Sequence, residues 1–279
     1  MEVSLHHHRV YVYTGGKAFR PDLPSVLMIH GAQNDHSVWI MQSRWLAHHG
    51  YNVLAVDLPA HGRSEGPICE TIEAMAAWCG ELLDALGVSA AAWLGHSMGS
   101  LIALEAAACK PTRSWANILL GSAFPMRVSD VLLSAAQHDE QKAFDMITRW
   151  SHSGISHHPG SPGPGFSIYN QGRRLMERQS PGVLFNDFKA CNTYAQGLAR
   201  AQSISQPTLL LSGALDLMTP PKAAQSLAKA ISGSQCEVID RAGHQLMVEQ
   251  PDAVRGAIAG FLAKAWASQP KVLGDGTSC

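Results

Sequence analysis

The sequence predicts an α/β protein with a mostly parallel, doubly wound sheet and an inserted helical cap. The first observation is a series of short, continuously apolar runs, as strands covered by helices on both faces require. They occupy residues 25–30, 51–58, 90–95, 115–121, 207–213 and 236–240. The second is helix-like periodicity between the runs, which favours crossover connections and parallel pairing. The third is a long interval, residues 124–205, that contains no such run.

A first strand and two helices are also predicted on either side of this interval. The segment "RVYVY" predicts a first strand that includes His6–His8, an interpretation preferred over a tag remnant or a metal-binding tract. Residues 68–86 carry apolar side chains at steps of three and four, and Gly87 is placed to end that helix. Residues 251–266 form another apolar stripe, with Pro251 suited to the first helical position.

The interval 124–205 is predicted to be a helical cap or lid, with residues 1–123 and 206–279 forming the core. Residues 130–150 have helical periodicity, whereas Gly and Pro supply seven of the fifteen residues in 151–165, which predicts a mobile loop. An insertion here would lie over the carboxyl ends of the strands, where open α/β sheets bind ligands.

Composition excludes several classes of function. The chain has 279 residues, 46% of them hydrophobic and 15% charged, which indicates a globular protein. A formal net charge of −1 gives no reason to expect a nucleic-acid partner. No apolar run is long enough to span a membrane, and the first residues lack a secretory signal pattern. The six cysteines include no CxxC pair, so we expect reduced thiols in a cytoplasmic protein. The sequence leaves the oligomeric state open between a monomer and a homodimer.

The motif "GHSMG" at 95–99 follows an apolar run and precedes a helical pattern. Such a strand-to-helix turn strains the serine backbone and projects its hydroxyl from the sheet, and larger residues at Gly95 and Gly99 would collide with neighbouring backbone. The motif predicts that Ser97 is a nucleophile.

The chain resembles the α/β-hydrolase fold superfamily, in the branch with a helical cap. The resemblance covers nearly the whole length and rests on motifs that occur in order. These are "HGAQNDHSVW" (30–39), "DLPAHGRS" (57–64), "GHSMG" (95–99), "GALDLMTP" (213–220) and "AGHQLMVEQP" (242–251).

A serine hydroxyl needs a base to take its proton, and the imidazolium then formed needs a carboxylate. Among 14 histidines, His244 is favoured because it follows the last predicted strand and lies at the same sheet edge as Ser97. Asp216 follows another strand at that edge and gives the chain order Ser, Asp, His expected of the family. Asp57 is interpreted as a backbone-bonding turn residue and Asp35 as a helix cap.

Attack on a carbonyl also needs donors for the developing oxyanion. The resemblance assigns this role to the backbone N–H groups of Ala32 and Met98. The candidate residues for substrate contact are Gln33, Phe124, Trp150 and Leu217. The alternatives are a surface-loop position for Gln33 and packing within the cap for Phe124 and Trp150. His152, His157 and His158 on the loop are interpreted as solvated, with substrate contact as the alternative.

Serine at the nucleophile position argues against dehalogenases and epoxide hydrolases, which use aspartate on this fold, and favours acyl chemistry. The predicted function is hydrolysis of a small or medium carboxylic ester, or a related acyl substrate, through an acyl-enzyme, with no metal and no organic cofactor. The alternatives are a C–C bond hydrolase or enol-lactonase of aromatic degradation, a cofactor-free lyase or oxygenase, and a non-catalytic ligand receptor.

Overall fold

The computed structural model of the chain describes residues 1–157 and 167–269. An eight-stranded sheet in the order β1-β2-β4-β3-β5-β6-β7-β8 forms its centre. The strands are β1 (Glu2–Leu5), β2 (His8–Tyr13), β3 (Ser25–Ile29), β4 (Asn52–Val56), β5 (Ala91–His96), β6 (Ser114–Leu120), β7 (Thr208–Gly213) and β8 (Gln235–Ile239). The six strands β3 to β8 are parallel, while β1 and β2 form an antiparallel hairpin at one edge. The predicted α/β fold with a mostly parallel sheet is confirmed.

Five of the six apolar runs become fully buried strands because helices cover both faces of the sheet there, whereas four of the five residues of β8, at the sheet edge, are exposed. Every residue of β3 to β7 is buried, as continuous rather than alternating hydrophobicity requires. The longer helices are α1 (Ile40–His48), α2 (Ile72–Ala85), α3 (Met98–Cys109), α4 (Asp130–His138), α5 (Glu140–Ser151), α6 (Ile168–Glu177), α7 (Val183–Thr193) and α11 (Pro251–Ala267). Shorter ones are α8 (Gly197–Ser203), α9 (Gln225–Ala230) and α10 (Leu246–Glu249). One apolar core lies under α2 and α3, and a second lies under α1 and α11.

The prediction that His6, His7 and His8 all belong to a first strand is wrong for two of them. Leu5 pairs with His8, so His6 and His7 are the two turn residues of the β1–β2 hairpin. Both have positive φ, at 52° and 66°, as a two-residue turn that matches the strand twist requires.

In the described part of the connection from β6 to β7 there are five α-helices, α4 to α8. Apolar side chains of α4 to α7 form a third core of their own, whereas Ala201 of α8 packs into the core under α2 and α3. The periodic run 130–150 is divided at Asp139, which caps α5 through its side chain. The division into a core and a cap at 124 and 205 stays a prediction, and below we use "cap" for the helices α4 to α7.

The loop predicted for 151–165 is partly a regular element. Ser151 is the last residue of α5, and residues 154–157 form a 3₁₀ turn. The carboxylate of Glu249 fixes this segment by accepting hydrogen bonds from Ser153 N–H and Ser156 Oγ. The rest of the predicted loop, from 158 onward, lies outside the described residues.

Within the two described ranges, no helix is both long and apolar enough to cross a membrane. Five cysteines in those ranges carry free thiols, namely Cys69, Cys79, Cys109, Cys191 and Cys236. Cys279 lies outside the described residues.

Candidate active site

Ser97 occupies a sharp turn between β5 and α3. Its φ is 53°, a left-handed value that costs energy in a residue other than glycine and that clusters at functional sites. A Cβ at Gly95 would lie 2.0 Å from the carbonyl oxygen of Gly99, and one at Gly99 would lie 2.3 Å from that of Ile29. The prediction that both glycines are needed to avoid backbone collisions is confirmed.

Asp216 and His244 form a buried hydrogen-bonded pair beyond the carboxyl ends of β7 and β8. His244 Nδ1 lies 2.8 Å from Asp216 Oδ2. The other carboxylate oxygen, Oδ1, accepts the backbone N–H groups of Met218 and Thr219, each at 2.8 Å. Burial alone would raise the pKa of Asp216, but attraction to His244 and the hydrogen bonds from His244 and Thr219 outweigh it and lower that pKa to about 2. The carboxylate therefore stays ionised and fixes the imidazole tautomer with the proton on Nδ1.

His96 supports the backbone of His244. Its Nε2 lies 2.9 Å from the carbonyl oxygen of His244, and the two rings are 4.7 Å apart. Burial and the neighbouring His244 lower the pKa of His96 to about 3, so it is neutral and donates its Nε2 proton. The structure thus places His96 against the loop that carries His244.

Two cavities have both Ser97 and His244 in their walls. The larger, of about 410 Å³, is lined mainly by apolar side chains, and the smaller is a slot of about 30 Å³. Within the described part of the chain, no hydrogen bond joins Ser97 Oγ to His244. Such contacts are often long before substrate binds and then tighten.

The backbone groups predicted to bind an oxyanion flank this space. Met98 is the first residue of α3, so its N–H has no acceptor one turn earlier in the helix and lies at the positive end of the helix dipole. Ala32 follows β3 and lines both cavities. Their roles stay predictions.

Of the four candidate residues for substrate contact, two line the larger cavity and two lie outside the described cavity walls. Trp150 and Leu217 line the larger cavity, and their roles stay predictions. Gln33 is buried away from the described cavity walls, because its backbone N–H donates to Asp187 and its amide to the carbonyl of Met176. It therefore joins the core to the cap.

Phe124 also lies outside the described walls of both cavities. Its ring packs 6.0 Å from that of Tyr194, and its carbonyl accepts a hydrogen bond from Ser226. His152 differs from the solvated loop histidine that we expected, since it is 5% exposed and lines the narrow slot. The side chain of His157 and the whole of His158 lie outside the described residues.

The two aspartates set aside in the sequence have the expected local roles. Asp35 caps the 3₁₀ turn at 36–39 through Ser37 N–H, at 2.9 Å. Asp57 accepts the backbone N–H groups of His36 and Arg63, at 2.7 and 2.9 Å.

Sequence reasoning missed Thr219. Its hydroxyl lies within hydrogen-bond distance of both Asp216 and His244. In a sequence, a threonine three residues after an aspartate indicates a local turn, and Thr219 does take part in such a turn. The pattern therefore does not show that its hydroxyl also contacts the Asp216–His244 pair.

Comparison with known proteins identifies the family. Residues 26–257 match the model of the alpha/beta hydrolase family. A 3-oxoadipate enol-lactonase of Acinetobacter baylyi is 25% identical over 246 residues, which cover 86% of this chain and 88% of that protein. A pimeloyl-[acyl-carrier protein] methyl ester esterase of Serratia marcescens is 26% identical, with 85% and 93% covered.

Among solved structures, the enol-lactonase of Burkholderia xenovorans superimposes with a TM-score of 0.83 at 22% identity, covering 94% of this chain and all of that one. The chain belongs to the alpha/beta hydrolase family, and it is a hydrolase.

Proposed function

We propose that the chain hydrolyses small or medium carboxylic esters through an acyl-enzyme formed on Ser97, with His244 as base and Asp216 as orienting acid. The observation that carries this proposal is the 2.8 Å contact between Asp216 and His244, with His244 in a cavity wall that also contains Ser97 on a strained turn. An ionised carboxylate at Nδ1 leaves Nε2 of the neutral imidazole free to accept a proton.

In the acylation step, Ser97 Oγ attacks the ester carbonyl carbon and its proton passes to Nε2 of His244. A C–O bond forms, and the carbonyl electron pair moves to oxygen. The N–H groups of Ala32 and Met98 are proposed to bind this oxyanion. When the pair returns, the bond to the alcohol oxygen breaks, and His244 gives its proton to the departing alkoxide.

In the deacylation step, a water molecule takes the place of the alcohol. His244 removes one proton from it while its oxygen attacks the acyl carbon. Collapse of the second tetrahedral intermediate breaks the bond to Ser97 Oγ and returns the proton to it. The products are one carboxylic acid and one alcohol, and the enzyme is unchanged.

The size and lining of the larger cavity support a small or medium acyl group. About 410 Å³ falls in the range of ordinary small-molecule sites. Side chains such as Met126, Leu132 and Trp150 offer an apolar surface to an acyl chain. An enol-lactone is the second candidate substrate, because it presents the same acyl carbonyl and a similar protein acts on one.

Turnover of p-nitrophenyl esters of graded chain length tests the proposal. We expect hydrolysis of the short and medium esters, with a decline once the acyl chain exceeds the cavity. Ser97→Ala and Asp216→Asn should each lower kcat by roughly 10³-fold or more while the protein stays folded. Hydrolysis by Ser97→Ala at the rate of the unmodified chain would contradict the proposal.

A further inference from the structure

A third cavity, of about 330 Å³, borders the narrow slot and shares no described wall residue with the larger cavity. Its walls come from α1, α6 and α10, and we name it the α6 cavity. The slot shares Asn34, His152 and Gln245 with the α6 cavity, and it shares Ser97 and His244 with the larger cavity. The slot therefore lies between the two cavities, with the proposed nucleophile on the side of the larger one.

The slot has room for a thin part of a substrate but not for a whole one. Its volume of about 30 Å³ holds about two water-sized groups, since each needs about 10–15 Å³. A Cβ at Gly172 would lie 3.2 Å from Cε1 of His152, so a glycine at this position keeps space open beside the ring. An ester that is attacked by Ser97 can therefore extend its acyl chain into the larger cavity and pass its ester oxygen and the next carbon through the slot.

Asn34 presents an amide without a partner in the walls of both the slot and the α6 cavity. The residue is 6% exposed, and no hydrogen bond among the described residues includes its side chain. Its amide is not sealed inside packed protein, in contrast to Oε1 of Gln33, so it faces open space in these walls. A nearly buried amide without a partner costs free energy, and polar groups of this kind in an apolar pocket orient a ligand.

The rest of the α6 cavity is suited to an uncharged and mainly apolar group. Apolar side chains from α1, α6 and α10, such as that of Met41, form most of its wall. Two arginines also reach the wall, but Arg178 Nε donates to Asp35, 2.9 Å away, and Arg174 donates to Glu177. Because both guanidinium groups already have carboxylate partners, the wall does not favour an anionic ligand.

We propose that the α6 cavity binds the alcohol part of the ester, and that Asn34 selects alcohols with a second oxygen close to the ester bond. This inference rests on the proposed function, in which the acyl chain lies in the larger cavity. The ligand is an uncharged, mainly apolar alcohol whose ether or hydroxyl oxygen meets the amide of Asn34. After acylation of Ser97 the alcohol departs through the α6 cavity, and the acyl chain stays in the larger cavity while water enters the slot.

Two butyrate esters of equal chain length test this selection. 2-Butoxyethyl butyrate has an ether oxygen where heptyl butyrate has a methylene group, so the two differ in one hydrogen-bond acceptor. Asn34→Leu removes the amide and keeps the size and branching of the side chain. The matched control is Asn170→Leu, at an exposed position of α6 outside the described cavity walls. The measurement is kcat/KM for each ester.

In Asn34→Leu, we expect kcat/KM for the ether ester to fall about 3-fold or more relative to the heptyl ester, because one neutral hydrogen bond is lost. Asn170→Leu should keep the ratio of the unmodified chain. If Asn34→Leu does not fold, Asn34→Ala provides the same comparison. An unchanged ratio in a folded variant without the amide would overturn the inference, as would an equal change in Asn170→Leu.

Binding of the free alcohol locates the site without any turnover. Met41 and Met247 lie in the wall of the α6 cavity, and Met126 lies in the wall of the larger cavity. In protein labelled with ¹³C-methyl methionine, 2-butoxyethanol should shift the NMR signals of the first two more than that of Met126. Each signal is assigned by its loss in the corresponding Met→Leu variant. A larger shift at Met126, or no shift at Met41 and Met247, would overturn the inference.

The same titration tests Asn34 and separates failure of this inference from failure of the proposed function. In Asn34→Leu, the Kd of 2-butoxyethanol should rise about 3-fold or more relative to that of heptan-1-ol. Absence of ester turnover with this binding pattern would contradict the proposed function and leave the alcohol site supported. Turnover of both esters with an unchanged ratio would overturn selection by Asn34 and leave the proposed function standing.

Discussion

Glu249 Oε1 accepts a hydrogen bond from the backbone N–H of Gly243, 2.9 Å away, directly before the proposed base His244. The second oxygen of the same buried carboxylate accepts Ser153 N–H, at 2.8 Å, from the segment that follows α5 of the cap. The Glu249 side chain thus binds both the loop that carries His244 and the segment that follows α5 of the cap. Displacement of the cap at this point would disturb the residue before His244.

Glu249→Gln should therefore impair activity and stability together. The amide presents an NH₂ group to one of the two backbone N–H donors, which leaves that donor buried without an acceptor. We expect the free energy of unfolding to fall by ~1–3 kcal/mol, measured by urea denaturation, and kcat/KM to fall with it. Glu237→Gln, on the exposed surface of β8, is the matched control and should change neither. Equal stability of the two variants would contradict this role.

Gly121 provides a test of how closely the backbone approaches the base. Its φ is +54°, and a Cβ there would lie 3.1 and 3.2 Å from Cε1 and Nδ1 of His244. Gly121→Ala should displace the imidazole and reduce kcat by about 10-fold or more, because small misplacements of a catalytic group are costly.

Gly50→Ala is the control for backbone strain alone. Gly50 has a φ of +87°, and a Cβ there would have no heavy atom of the described residues within 4 Å apart from its chain neighbours. This variant should lose ~1–2 kcal/mol of stability from the left-handed backbone and keep its kcat. Activity in Gly121→Ala equal to that of Gly50→Ala would count against the close approach.

The buried pair His61–Asp187, 2.9 Å between Nε2 and Oδ2, joins the core to α7 of the cap. Burial alone would lower the pKa of His61, but attraction to Asp187 and the hydrogen bond to it raise that pKa above 6.5. A raised folded-state pKa gives stability that is fully present below 6.5 and lost as pH rises through the folded-state value.

We therefore expect His61→Gln to reduce the free energy of unfolding more at pH 6 than at pH 9. The measurement is denaturation of the unmodified chain and of His61→Gln at each pH. The difference between their free energies of unfolding removes the contribution of the other titrating groups. In an Asp187→Asn background this excess loss at pH 6 should disappear or invert, because burial alone lowers the pKa of His61. With Asp187 in place, a larger loss at pH 9 than at pH 6 would contradict the predicted sign.

Arg127 bears on which esters are preferred. It is the one lining residue of the larger cavity, among those described, whose side chain carries a full charge at neutral pH. No ion pair of the described residues includes it, so an acyl chain that ends in a carboxylate could approach it. Because exposed pairs contribute ~0.2–1 kcal/mol, Arg127→Gln should reduce kcat/KM for a dicarboxylic monoester a few-fold relative to a neutral ester.

The control for this comparison is Arg149→Gln, on an exposed position of α5 outside the described cavity walls. It should leave the ratio of the two esters unchanged. If both arginine variants change the ratio of the two kcat/KM values equally, the overall positive charge of this region rather than Arg127 itself determines the ratio.

The strands could be predicted from the sequence because burial on both faces leaves a continuous apolar run, and β3 to β7 each begin within two residues of the predicted start. Ser97, Asp216 and His244 could be located at one edge of the sheet because each follows a predicted strand. Gln33 and Phe124 could not, since whether a side chain faces the cavity depends on packing between α7, α8 and the core. Thr219 could not either, because its contacts join three segments that are distant in the chain.

The most direct test of the central claim is covalent labelling of Ser97 by a fluorophosphonate, located by mass spectrometry of the digested protein. A serine activated by His244 should react with one equivalent of probe at Ser97. Ser97→Ala should take up none, and His244→Gln should react far more slowly. Folded chain that stays unlabelled at Ser97, or that reacts equally fast without His244, would contradict the account.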